Sequence, residues 1–321
     1  YHLQAGRTDQ VWGQTIGTDD EPLFTSDAAK HVYQVTFAYN DKKAFRYANY
    51  GNPIAGGLPT ARDILGSDYN EHHYYSGIAF EDGFNGSTTV TADRQVTVSI
   101  TEKDCYEIAS KENWKEFCDI VNGGQNAVDA KLTRNIDLGS EINMVGDDNN
   151  KYSGTFDGQN HTLTLNWDAG YKSDIAPFRR VDGATIKNLR TEGEIKSSLN
   201  FLSGLVYEAF GTTTISGCIS AVNITSSYNN GGCDVAGIIE CVRDKAKVTI
   251  TDCVVKGKFH ATMEKGRKYM AGFVCNQYGT CTLTNCLYIG DNNATGGNTF
   301  ADNATVTNCY YLKACGNKQG E

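Results

Sequence analysis

The sequence predicts an all-β protein in which Asp174 to Leu312 forms a right-handed parallel β-helix, and three observations carry that prediction. A short phrase recurs five times: Ile186-Lys187-Asn188-Leu189 after Thr185, Ile215-Ser216-Gly217-Cys218 after Thr214, Ile250-Thr251-Asp252-Cys253 after Thr249, Leu283-Thr284-Asn285-Cys286 after Thr282, and Val306-Thr307-Asn308-Cys309 after Thr305. A second apolar phrase precedes four of these copies by 10 to 13 residues: Ala176-Pro177-Phe178, Gly204-Leu205-Val206, Gly237-Ile238-Ile239 and Gly272-Phe273-Val274. The 321 residues include 34 glycines but only 4 prolines, with many Asn, Thr and Asp, which is a composition of tight turns and strand formers.

Taken in chain order, Trp12, Ile16 and Leu23 are apolar anchors without a periodic partner, and Thr25 to His31 is polar. Residues 1–30 are therefore expected to be a tail and linker outside the unit that follows. Residues 31–103 begin with Val32 to Phe37 and close with Thr89 to Val98, both alternating β formers, around a middle bearing Gly and Pro at Ile54 to Pro59. That pattern predicts a small separate β domain. Residues 104–321 open with Ser110 as an N-cap, Trp114, Phe117, Cys118 and Val121 at helical spacing, and Gly123 as a stop. This amphipathic helix is the natural plug for the first coil of the β-helix, whose bare strand edges would otherwise pair with other chains.

Beyond the helix, each repeat holds three short strands and cannot bury its apolar residues alone. Stacking repeats at about 4.8 Å aligns like residues into ladders. Ile186, Ile215, Ile250, Leu283 and Val306 are expected to form one internal ladder, and Leu189, Cys218, Cys253, Cys286 and Cys309 the next. Between them sit Asn188, Gly217, Asp252, Asn285 and Asn308, residue types that tolerate the left-handed backbone of a sharp bend. Steps of 29, 35, 33 and 23 residues along the second ladder require loops of unequal length.

These phrases resemble the repeats of bacterial surface right-handed β-helix proteins of the GLUG type. The resemblance extends upstream to Tyr152-Ser153-Gly154-Thr155-Phe156-Asp157-Gly158 and to Ala130 through Leu138, which look like the first coils of that family. Residues 31–103 are similar to the β-grasp-like repeats of bacterial surface proteins. The run Trp12 to Pro22 is similar to the phrase that closes a preceding unit in multi-unit members, which implies that the chain begins mid-protein. The resemblance implies a non-enzymatic cell-surface or secreted protein, extracellular, serving as a rigid spacer and an adhesin for glycan or host protein. The alternative is a polysaccharide lyase or glycoside hydrolase acting in the β-helix groove, because many β-helix proteins have such activities.

Composition narrows the partners. Net charge is -9, and the cationic residues are scattered rather than gathered in a stripe, which argues against nucleic acid or an anionic membrane. No apolar run approaches the ~20 residues that span a bilayer. The open last coil would offer an edge for self-association. Of 11 cysteines none forms a Cys-x-x-Cys pair, the spacing fits no zinc site, and the cysteine ladder reads as core packing.

No catalytic constellation, cofactor motif or metal site stands out. His72 and His73 beside Glu71, Asp147 to Asn150, and Asp19 to Glu21 read as a tyrosine-rich loop and two solvated turns, because each lacks the spacing of a ligand set. Cleavage of a glycan would need paired carboxylates, and Asp157 and Asp252 each sit at a repeat turn that already explains them. Arg179, Arg180, Lys187 and Arg190 are the candidate binding residues, four cations that together would touch an anionic glycan. The plainer reading of the four is a charged solvent face.

Overall fold

A computed structural model describes residues 11–229, 232–263 and 266–320, so the expectation placed on residues 1–10 lies outside the described residues. The chain is mostly β and divides between Lys103 and Asp104 into two compact units.

The first unit is built on a four-stranded sheet in the order Lys42–Asn49, Val32–Tyr39, Arg94–Lys103, Tyr74–Phe80. The central pair is parallel and both outer pairings are antiparallel. One face carries Val35, Phe37, Val96 and Val98 against Ile54, Ile64, Phe84 and Val90. The short helix Ala61–Leu65 follows the Gly- and Pro-bearing stretch Ile54 to Pro59 and is not expected from the sequence. Its start is fixed by a capping box between Thr60 and Asp63.

The segment expected as a tail and linker behaves differently from that expectation. Val11–Gly13 pairs with Leu23–Thr25, and the Asn49 side chain donates to the Gln14 carbonyl at 2.6 Å while accepting from the Ile16 amide at 2.8 Å. The amide of Asn49 thus satisfies backbone groups that composition alone leaves unassigned. Residues 14–30 are thereby tied to the small domain.

The second unit is a stack of parallel strands that the chain visits in rotation. The first sheet runs in order through Tyr106–Ile108, Ala130–Leu132, Thr155–Asp157, Thr185–Lys187, Thr212–Ser216, Lys247–Thr251, Thr280–Thr284 and Thr305–Thr307. A second sheet runs from Ile136–Gly139 to Tyr310–Tyr311, and a third holds Phe178–Asp182, Val206–Phe210, Ile239–Val242 and Val274–Gln277. A smaller fourth sheet contains Leu202–Ser203, Gly232–Ala236 and Arg267–Ala271.

Ile186, Ile215, Ile250, Leu283 and Val306 pair residue for residue, and the first four are fully buried. Val306 is half-buried in the last coil. The bend residues all take left-handed φ: Asn188 52°, Gly217 60°, Asp252 55°, Asn285 55° and Asn308 50°. Each following thiol donates to the carbonyl two residues earlier, at 3.4 Å from Cys218 to Ser216, 3.1 Å from Cys253 to Thr251, 3.4 Å from Cys286 to Thr284 and 3.2 Å from Cys309 to Thr307. A small apolar group with a weak donor fits this corner, which explains why cysteine recurs there. All 11 cysteines are free thiols.

The glycine of the second phrase has a separate cause. A Cβ at Gly237 would lie 2.6 Å from Val255 Cγ1, and one at Gly272 would lie 2.7 Å from Tyr288 Cδ2. The side chain two residues after each cysteine therefore packs directly against the glycine backbone. The helix Lys111–Asn122, N-capped by Ser110, buries Trp114, Phe117, Cys118 and Val121. Trp114 and Phe117 pack against Phe156 at 6.0 and 5.8 Å between ring centroids, closing the start of the stack.

Candidate functional site

The third sheet positions the most concentrated polar chemistry. Its buried apolar residues recur three apart: Phe178 and Val181, Val206 and Ala209, Ile239 and Val242. Pairing runs Phe178 to Val206 and then Arg180 to Glu208, omitting the residue between, and the next two steps repeat this. Two consecutive residues per coil are thus turned away from the apolar interior. They are Arg179 and Arg180, then Tyr207 and Glu208, then Glu240 and Cys241, then Cys275 and Asn276.

Arg180 joins Glu208 on the next coil and Asp148 on the loop before it. Glu208 also receives Arg243 at 3.5 Å, and Arg179 lies 3.4 Å from Asp174 and 3.8 Å from Asp148. Glu240 accepts from the Asn276 amide at 2.6 Å. Burial pushes the Glu240 carboxyl up to about 8, the Asn276 bond opposes this, and Asp234, Glu208 and Asp174 raise it further. Burial, followed by Glu208 and Asp174, also pushes the Tyr207 hydroxyl well above its ordinary range. A proton-bearing carboxyl beside a carboxylate held by two guanidinium groups has the elements of acid–base work. Yet Glu208 and Glu240 are only 4% and 1% exposed, so no substrate reaches them in this conformation.

Only two of the four cations expected to act together meet in this cluster, namely Arg179 and Arg180. Lys187 stands in the first sheet, 3.4 Å from Asp157, and Arg190 in the second, its Nε 3.2 Å from Glu192 in a charge contact without hydrogen-bond alignment. All four cations face this chain's own carboxylates. Sequence reasoning missed Glu208, Glu240, Arg243 and Asn276. The available signal was the position of Glu240 directly after Gly237-Ile238-Ile239, where the first coil carries Arg179 after Ala176-Pro177-Phe178.

The remaining candidates have local partners. His73 Nδ1 lies 2.6 Å from Glu102, which also accepts from Tyr75. Asp147 accepts from the amides of Asn149 and Asn150 at 2.8 and 2.7 Å, forming a turn. Asp157 and Asp252 accept the side-chain amides of Asn188 and Asn285 on the following coils. Asp19 accepts from Thr15 and Lys30, which hold its carboxyl below the usual range, with the Thr15 backbone bond the larger cause. Among the described residues no group of three or more His, Cys, Asp or Glu could hold a metal ion, and no helix is long and apolar enough to cross a membrane.

No family model matches the chain, and no curated protein matches it. Among solved structures it is similar to a putative immunoglobulin A1 protease from Bacteroides ovatus, with 14% identity, a TM-score of 0.43, and coverage of 64% of this chain and 75% of that one. At that score the likeness transfers neither an activity nor a fold assignment.

Proposed function

We propose that this chain is a non-enzymatic, extracellular or cell-surface module of the bacterial GLUG type, a rigid spacer that binds glycan or host protein. In this reading residues 104–321 are a right-handed parallel β-helix capped by the helix at Lys111–Asn122, and residues 31–103 are a β-grasp-like repeat. The in-register ladders and the rotation of the chain among parallel sheets support the first assignment, and the parallel central pair of the small sheet supports the second. The carrying observation for the function is the ion-pair cluster around Arg180 and Glu208. Glu208 is buried and engaged with Arg180 and Arg243 of this chain, which stiffens the flank, and Glu240 beside it is buried as well, so these two form no accessible pair for cleavage. Exposed Tyr310 and Leu312 on the last coil support a tendency to self-associate there.

The second reading, glycan cleavage, is favoured by one feature: burial raises the Glu240 carboxyl, to about 8, next to Glu208. A glycan array combined with assays for reducing ends and unsaturated uronides on the same panel separates the two. Binding without release supports the module. Release that disappears in both Glu208→Gln and Glu240→Gln replaces it with the enzyme.

A further inference from the structure

The small sheet buries one face in its apolar core, and among the described residues the side chains of the other face are partly exposed. Residues Val35, Phe37, Val96 and Val98 point into the apolar core, so the alternate set points the other way. On the edge strand this set includes Phe45 and Tyr47, which are 45% and 41% exposed. Directly across from them on Val32–Tyr39 stand Thr36 and Gln34, and the row continues from Thr36 to Gln95. The face therefore carries two rings at its margin and amide and hydroxyl groups along its middle.

We propose that this open face, with Phe45 and Tyr47 beside Gln34, Thr36 and Gln95, is a binding platform for a neutral oligosaccharide. The assignment rests on the reading of the chain as a glycan-binding module and names the site and ligand class. A shallow depression of about 290 Å³, lined by Gln34, Thr36, Asp93, Arg94 and Gln95, lies on this face. Its groups are held in place: Gln34 Nε2 donates to Thr36 Oγ1 at 3.0 Å, and the Gln34 backbone amide donates to Asp93 at 2.8 Å. Adjacent flat rings and oriented polar groups match the two surfaces of a sugar, its C–H face and its hydroxyl rim.

Charge selects against the anionic alternatives. Arg94 is engaged with Asp82 at 3.6 Å and lies over the Phe84 ring at 5.2 Å. Asp93 adds a carboxylate beside Gln34, and the chain as a whole carries -9. Neither an acidic glycan nor nucleic acid gains from such a surface. A protein partner would require a contiguous apolar centre, whereas here polar rows begin immediately beside the two rings. The ordinary β preference of aromatic residues on an edge strand is the competing explanation, and it expects no ligand.

The test is calorimetric titration of the full chain with cellohexaose, xylohexaose, mannohexaose, laminarihexaose and chitohexaose, and with hexagalacturonate and a hyaluronan hexasaccharide as acidic probes. Binding of at least one probe is expected, weakened roughly tenfold by Phe45→Ala and likewise by Tyr47→Ala, and unchanged by Tyr310→Ala in the other unit. The affinity should be insensitive to salt. If a neutral probe still binds the Phe45→Ala/Tyr47→Ala double variant with unchanged affinity, the site is wrong while the glycan-binding reading stands. If only acidic glycans bind, the ligand class is wrong. A chain that binds no glycan at all overturns both, and a dimer dissolved by the two ring substitutions assigns the face to a second copy instead.

Discussion

Replacing Glu240 with Gln removes a strongly perturbed carboxyl of the coil stack while preserving its shape and its ability to accept from Asn276. The ordinary value of 4.5 rises to about 8 in the fold, so the folded chain holds this proton more tightly than the unfolded chain. Stability from that proton is complete below about 4.5 and is lost as pH rises through about 8. At about 1.4 kcal/mol per unit, the shift corresponds to at most about 5 kcal/mol. Structural relaxation and water entry around the carboxylate reduce this to about 2–4 kcal/mol. Asp174, Glu208 and Asp234 face the same group and are present in both proteins, so their contributions largely cancel in the difference. Urea unfolding followed by tryptophan fluorescence reads this unit, because Trp114 and Trp167 are both fully buried within it. Glu240→Gln should match the parent chain near pH ~4.5 and exceed it by about 2–4 kcal/mol near pH ~8.5. A difference that stays flat across this range would refute the burial argument.

Ile250→Ala should cost roughly 2–5 kcal/mol, and Val306→Ala less than half of that because it is half-buried in the last coil; equal losses in the same unfolding experiment would contradict the proposed ladder. Gly237→Ala should lose about 1–3 kcal/mol or more, since its Cβ would overlap Val255 and the neighbouring backbone, and a neutral result by thermal melting would mean that the phrase is not a packing constraint. Among the thiols, Cys105 is the one that is not buried, whereas Cys253 and Cys275 are raised well above the ordinary value, by the Cys218 hydrogen bond and burial in Cys253 and by burial in Cys275. Mass-spectrometric mapping after maleimide treatment of the native chain should find Cys105 labelled first, and simultaneous labelling of Cys253 or Cys275 would count against this order.

Local pattern alone disclosed the parallel repeat stack, the register of its Ile186 ladder, the left-handed bends at Asn188, Asp252, Asn285 and Asn308, and the helix from Ser110 to Gly123. Each depends on spacing within one repeat or one helical turn, and a repeat copies the same physical solution from coil to coil. The strands Lys42–Asn49 and Tyr74–Phe80 escaped, because their interrupted alternation becomes a sheet face only beside Val32–Tyr39 and Arg94–Lys103. The role of Asn49 in fastening Gln14 and Ile16 escaped for the same reason. The polar cluster was the least visible: Arg180, Glu208 and Arg243 are separated by dozens of residues, and only the pairing of the third sheet across coils brings them together. The sequence by itself thus determined which residues repeat and which must be buried, whereas tertiary structure alone decided which charges meet, because pairing across coils depends on loop lengths and local bends that no single repeat contains.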